Sequence, residues 1–426
     1  MRQRQGLGVL YLFAASALLL GAQSGGDTAH ARAIHARVLT IDTHDDIPFD
    51  FATPSVDPGV RGDRQVDIPK MREGGLDAGF FVVYVGQGKR DEAGNRFAHD
   101  QAMLKFNAIH RMAEEMHPDK IGLATTSADV ERIAKSGKLV ACIGIENGWV
   151  IGRDLALLKK YHALGARYIT LAHNGHNDIC DSANPSSTLG DAPAEWNGVS
   201  PFGEKVIAEM NRLGIMVDVS HVSKKSMLDA IRLSKAPVIG SHSSTRALAD
   251  TPRNMDDEQL LALKAGGGVV QVCALSSFVK VDSEERKAAV AALRKEFGII
   301  GFGERPDGVA DPDYERRMAS FRSKLKELDG KPAPLGKANV QDFVNHIDYA
   351  VKLIGIDHVG ISSDFDGGGG INDWNDASET VNVTIELVKR GYTEEQIAKL
   401  WGQNLLRVWR EVEKVAARPS QDGKTN

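Results

Sequence analysis

His44 and Asp46 stand two residues apart in Ile41-Asp42-Thr43-His44-Asp45-Asp46, and on an extended chain that spacing puts an imidazole and a carboxylate on one face. Five further side chains able to bind a metal or carry a proton follow at the ends of apolar, β-branched runs: Glu146, His173, His221, His242 and Asp364. Singly, each has a plain structural reading as a loop histidine or a turn-closing carboxylate. Together they meet the needs of a metal centre. Zinc takes three or four His, Asp or Glu ligands, and two ions ~3.5–4 Å apart need a carboxylate to bridge them. Other histidines separate from this set: His99, His110, His117, His162, His346 and His358 fall in or beside helical stretches or before a strand, and His176, in the loop of His173, stays open.

Eight runs would position these groups: Val38–Ile41, Gly79–Val85, Leu139–Ile145, Tyr168–Leu171, Ile215–Val219, Pro237–Gly240, Val269–Cys273 and Val359–Ser362. Between most of them lie stretches with helical spacing, such as Asp100–Met116, Leu155–Leu164, Gly203–Leu213, Lys224–Leu233 and Asp257–Ala265. Alternating strand and helix predicts α/β architecture with a parallel sheet, and eight strands with helical returns predict a (β/α)8 TIM-like barrel. An open doubly wound sheet is the alternative, but its glycine-rich first turn is missing. Barrel enzymes build their sites at the C-terminal strand ends, which is where the seven polar side chains fall. Two charged helical stretches, Ser283–Phe297 and Tyr314–Leu328, with turns at Gly301–Pro306 and Gly330–Pro334, predict an insertion over about 276–339 that either caps the mouth or is a solvated excursion. Thr393–Val415 reads as one long helix with a docked face at Ile397, Leu400, Trp401, Leu405, Val408 and Trp409.

The 426 residues are 42% apolar and 26% charged, which fits a folded globular chain and excludes disorder, collagen-like repeats and coiled coil. A formal charge of −5 predicts no general attraction to nucleic acid or to anionic lipid. Arg2 and Arg4 before the uncharged run Leu7–Ala22 read as a signal peptide over 1–24, cleaved between 22 and 31; that run is short for an uncleaved membrane anchor. A single catalytic domain over 32–415 and a flexible tail over 416–426 follow, with a periplasmic or secreted address and no stable membrane anchor. Cys142, Cys180 and Cys273 form no metal-site pattern; Cys142 and Cys273 lie in apolar strand-like runs and read as core.

Beyond single residues, Ile41–Asp46, Gly144-Ile145-Glu146-Asn147-Gly148, Tyr168–Asn174, Val217–Ser223, Ser241-His242-Ser243-Ser244 and Ser363-Asp364-Phe365-Asp366-Gly367 resemble, in order and spacing, the membrane (renal) dipeptidase family of binuclear zinc peptidases. The resemblance runs from about Ile41 to Trp409. It implies two Zn2+, one bound by His44 and Asp46 and the other by His221 and His242, with Glu146 bridging them. It also implies that His173 steadies the tetrahedral intermediate, that Arg253 in Thr251-Pro252-Arg253-Asn254 takes the substrate carboxylate, and that Asp364 is the catalytic acid/base. The disulfide of the vertebrate relatives is not carried over, because no cysteine follows His173 before Cys180.

The expected chemistry is hydrolysis of free dipeptides by a hydroxide bridged between the metals, with the free amine held by Asp46 or Asp45, and the resemblance further implies that a D-residue is tolerated in second position. Two competing functions stay open. Another barrel amidohydrolase, acting on a lactone, cyclic imide or related amide, commonly has His-x-His and a carboxylated lysine where this chain has His44-x-Asp46 and Glu146. A catalytically silent periplasmic binding protein would not turn a dipeptide over. The expected partner is a small dipeptide, and a homodimer is compatible with the sequence.

Overall fold

Nine parallel strands form the sheet of this computed structural model, which describes residues 28–299 and 312–418. They are β1 (Ile41–Asp46), β2 (Ala78–Tyr84), β3 (Ile121–Leu123), β4 (Leu139–Glu146), β5 (Ala166–Thr170), β6 (Met216–Asp218), β7 (Ile239–Gly240), β8 (Val269–Cys273) and β9 (Val359–Ser362). Eight run in the order β1-β2-β4-β5-β6-β7-β8-β9, and β3 pairs only with β4 outside that path. A parallel bridge between Asp45 and Phe365, with Asp46 N–H donating to the Phe365 carbonyl at 2.8 Å, joins the two ends of the order. The result is the expected (β/α)8 TIM-like barrel.

Strand alternation divides the core in two. Ile41, Ala78, Phe80, Val140, Cys142, Tyr168, Met216, Ile239 and Val269 cluster with Leu405, Leu406, Val408, Trp409 and Val412, so the C-terminal helix plugs the barrel at its N-terminal end. The opposite faces of the strands carry Phe81, Val83, Ile143, Ile145, Ile169, Val217, Val270 and Ile361 into a larger cluster under the surrounding helices. Gly144 makes room inside: a Cβ there would collide with the Tyr168 ring, which lies beside the site described below.

Several expectations shift. The first strand is Ile41–Asp46, not Val38–Ile41, because it continues through the polar Asp42, Thr43 and His44, all buried. β6 and β7 are shorter than their apolar runs since side chains replace the ladder there. Asp218 accepts from the Ser220 and Ser241 N–H groups at 3.1 and 2.8 Å, and Ser220 Oγ accepts from His242 N–H at 3.0 Å. The long C-terminal helix runs as Glu394–Ala398, a wider π turn at Lys399–Gln403, and Asn404–Ala416, with its six docked apolar positions buried as expected.

The 276–339 region holds helices Ser276–Val279, Glu284–Phe297 and Pro312–Asp329, with a small cluster of Ile299, Met318 and Phe321. The turn expected at Gly301–Pro306, the signal segment 1–24 and residues 419–426 of the tail lie outside the described residues. All three cysteines are free and buried. Among the described residues no helix is long and apolar enough to cross a membrane.

Candidate metal centre

Because β4 faces its even-numbered residues inward, Glu146 at its end enters the barrel mouth, where four imidazoles surround it. Its Oε1 lies 2.9 Å from His221 Nε2, 3.3 Å from His242 Nε2 and 3.8 Å from His173 Nε2, and its Oε2 lies 3.5 Å from His44 Nε2. His44 Nε2 also comes within 3.6 Å of Asp46 Oδ2 and 4.0 Å of Asp364 Oδ1. Three groups therefore have ligand atoms within 4.8 Å of one another: His44, Glu146 and His242; Glu146, His173 and His221; and His44, Asp46 and Asp364. A carboxylate shared between two such groups is the arrangement of a binuclear metal site.

Hydrogen bonds behind the site fix which nitrogens face inward. The Tyr168 hydroxyl donates to the Thr43 carbonyl at 3.0 Å and lies 3.0 Å from His44 Nδ1. With its single proton committed, that hydroxyl accepts from Nδ1–H, leaving the lone pair on Nε2. Ser241 does the same for His242, since its Oγ donates to Asp218 at 2.6 Å and lies 2.8 Å from His242 Nδ1. The bare Nε2 of His242 then lies 2.9 Å from His221 Nε2, and His44 Nε2 is buried without a hydrogen-bond partner. The lone pairs of His44 and His242 both face the Glu146 carboxylate, which is repulsive unless a cation lies between them, so these donors fit divalent metals. Such supporting bonds typically contribute ~10–100-fold to metal affinity. Ser241→Ala is therefore expected to weaken binding by about that factor, read by competition against a chelator; unaltered affinity would remove Ser241 from this role.

Asp364 and His221 adopt φ values of 59° and 66°, the left-handed region that non-glycine residues rarely occupy, which aims both side chains at the cluster. Gly367 lets the β9 turn close over the site, since a Cβ there would strike Asp46 Oδ2 and Asp364 Oδ1.

A model of the membrane dipeptidase family, peptidase family M19, matches residues 28–423. The chain belongs to that family. It is 32% identical to dipeptidase ataJ of Aspergillus terreus over 93% of this chain and 90% of the relative. Among solved structures it resembles the probable dipeptidase PvdM of Pseudomonas aeruginosa, at 34% identity and a TM-score of 0.79 over 92% of this chain and 99% of the other. The fold also matches a metallopeptidase of Rhodobacter sphaeroides, solved with a phosphinate mimic of L-Ala-D-Ala, at 21% identity and a TM-score of 0.66 over 88% and 99% of the two chains. With its clustered ligands, this member of the dipeptidase family is a metal-dependent peptidase.

The charges of the family site diverge in a useful way. Burial pushes the Glu146 carboxyl up, but the surrounding histidines outweigh it and hold the group well below its ordinary value. Burial pushes Asp364 well above the usual carboxylate range, with Asp46 and Glu146 adding to the rise against His44 and Arg253. His242 is lowered to about 3, first by burial and then by His44.

Arg253, on the loop after β7, is buried at 5% exposure rather than lying on the surface. Its Nη2 donates to the His242 carbonyl at 3.3 Å and its guanidinium lies 5.0 Å over the Phe278 ring, while Nε is buried without a partner.

All eight residues singled out in the sequence thus sit in or beside one mouth. His176 does not join them: its Nδ1 accepts from Ser182 N–H at 3.0 Å and its Nε2 donates to the Ala192 carbonyl at 2.8 Å, a structural commitment. The six histidines set aside in the sequence also stay outside the metal groups found among the described residues. Asp45 cannot hold a substrate amine, being fully buried beside Ser363 and against Gly79. Sequence reasoning missed Tyr168, Asp218 and Ser241, whose only signal is a polar group inside an apolar run. It also missed Tyr84 at the end of β2, whose hydroxyl lies 3.4 Å from His173 Nδ1.

Proposed function

We propose that the protein is a binuclear zinc dipeptidase of the periplasm or extracellular space that hydrolyses free dipeptides and tolerates a D-residue in second position. The observation that carries this reading is the Glu146 carboxylate held between two sets of imidazoles with a buried guanidinium nearby. His44 and Asp46 would hold one ion, His221 and His242 the other, and Glu146 both. When bound there, the ions supply acidification of a shared water and polarisation of the scissile carbonyl.

The chain's own groups do the rest. Asp364 takes the proton of the attacking water on a carboxylate oxygen and delivers it to the departing amine, a role that its raised proton affinity suits. His173, with Nδ1 turned toward Tyr84, directs Nε2 at the oxyanion as it develops. The planar fork of Arg253 pairs with both oxygens of the substrate's terminal carboxylate, and the free amine falls to Asp46, since Asp45 is fully buried.

Fixed ends limit length. Tripeptides are expected to fail, and C-amidated dipeptides are expected to be cleaved on the order of 10²-fold or more slowly, because a buried polar partner is left unpaired. Arg253→Ala should raise KM for dipeptides and shrink the penalty for C-amidation. Metal analysis together with kcat/KM for L-Ala-L-Ala, L-Ala-D-Ala, D-Ala-L-Ala, their C-amides and a tripeptide tests the scheme. Two ions per chain, cleavage of the first two substrates and rejection of D-Ala-L-Ala are expected; comparable rates on the tripeptide or indifference to C-amidation would refute the clamp.

A further inference from the structure

Lys105 is an odd residue for its position. It lies on the helix Glu92–His110 that follows β2, and it is 3% exposed. Its ammonium sits 4.9 Å from the Phe49 ring and 5.5 Å from the Tyr84 ring. Among the described residues no carboxylate comes within 4.0 Å of it and no hydrogen bond reaches it. The side chain is packed away while the ammonium tip, which is not fully buried, keeps a way to the mouth, and a charge held there only by aromatic faces is costly unless something else completes it.

The mouth offers the place for that partner. Tyr84 pairs in register with Glu146 and turns its hydroxyl toward His173, so a single aromatic ring separates the ammonium from the reacting centre. Burial pushes the Lys105 pKa down, Asp46 and Glu146 draw it back up, and Arg64 opposes them. Once Asp46 and Glu146 are committed to divalent cations, their charge no longer serves the lysine. Arg64 is itself engaged by Asp366 at 3.4 Å. Among the described residues the ammonium then has no carboxylate within 4.0 Å to serve it, while Arg253 takes the substrate's terminal carboxylate.

Geometry says which part of the substrate comes near. β2 lies four strands from β7 in either direction around the ring, so Lys105 and Arg253 stand on opposite sides of the mouth. A dipeptide with its carboxylate on Arg253 points its first residue toward β2. There Phe49, 51% exposed, offers an apolar wall beside the ammonium.

We infer that Lys105, framed by Phe49 and Tyr84, forms an anion pocket for the side chain of the first residue, and that the preferred substrates carry aspartate or glutamate in that position. This rests on the dipeptidase reading above and narrows it to a substrate class.

The test compares each acid with its uncharged isostere: kcat/KM for Asp-Ala against Asn-Ala, and for Glu-Ala against Gln-Ala, on the metal-loaded enzyme. A charge-assisted contact in a largely dry pocket should favour the acid by roughly 10–100-fold. In Lys105→Met each ratio should fall to near one, and Lys105→Glu should favour Lys-Ala over Asp-Ala. Phe49→Ala, at an exposed position, should reduce the ratio partway by letting water reach the ammonium. Because the readout is a ratio within each variant, a merely structural role for Lys105 would slow all substrates alike and leave the ratio standing, which overturns the inference. An acid-to-amide ratio of one or less in the unmodified enzyme overturns it without any variant. Cleavage of none of these dipeptides would defeat the dipeptidase reading and the inference together, whereas equal cleavage of acid and amide defeats the inference alone.

Discussion

Glu146→Gln is expected to strip metal and activity together. Among the described residues it is the Glu146 carboxylate that lies within 4.0 Å of the imidazoles of His44, His173, His221 and His242 alike. An amide of the same shape removes that charge and turns an N–H donor toward a cation or a ring nitrogen. The loss of metal affinity should exceed the ~10–100-fold typical of losing a group that only supports a ligand. Elemental analysis after dialysis, with turnover measured on the same sample, is the check. Two retained ions and normal turnover would show that Glu146 is not the bridge.

Asp364→Asn separates chemistry from loading. As proton carrier, Asp364 is worth about 10²–10⁴ in turnover, the usual contribution of general acid–base catalysis. Its Oδ1 is 4.0 Å from His44 Nε2, farther than either Asp46 or Glu146, so most of the metal should stay bound. Metal lost in proportion to activity would make Asp364 a ligand.

The strand ends were legible because barrel topology turns a linear regularity into convergence: each ligand terminates an apolar run, and parallel strands bring those termini to one face. β1 was misread because the barrel interior near its mouth accepts polar groups. Asp42, Thr43 and His44 are buried there, and an apolar-run criterion stops at Ile41. β3 escaped notice since its three residues carry too little pattern to separate from a loop. Residues that chelate were easier to find than residues that support. Asp218 and Ser241 act through hydrogen bonds to a histidine's far side, a relation without fixed spacing in the chain. Lys105 was invisible for the opposite reason: lysine on an amphipathic helix ordinarily marks the wet face, and only the packed structure reveals one turned inward.

The bridge between Asp45 and Phe365 has a consequence for biosynthesis. It joins the first barrel strand to the last, and the residues flanking it on either side, His44 with Asp46 and Asp364, are those that crowd one half of the metal centre. Until the ribosome has delivered residue 365, that half has no opposite wall, whatever the earlier strands have done. An emerging or truncated chain therefore displays histidines and carboxylates without the enclosure that makes them a selective cage. A selective half-site of this kind forms only once the ring has closed through residue 365.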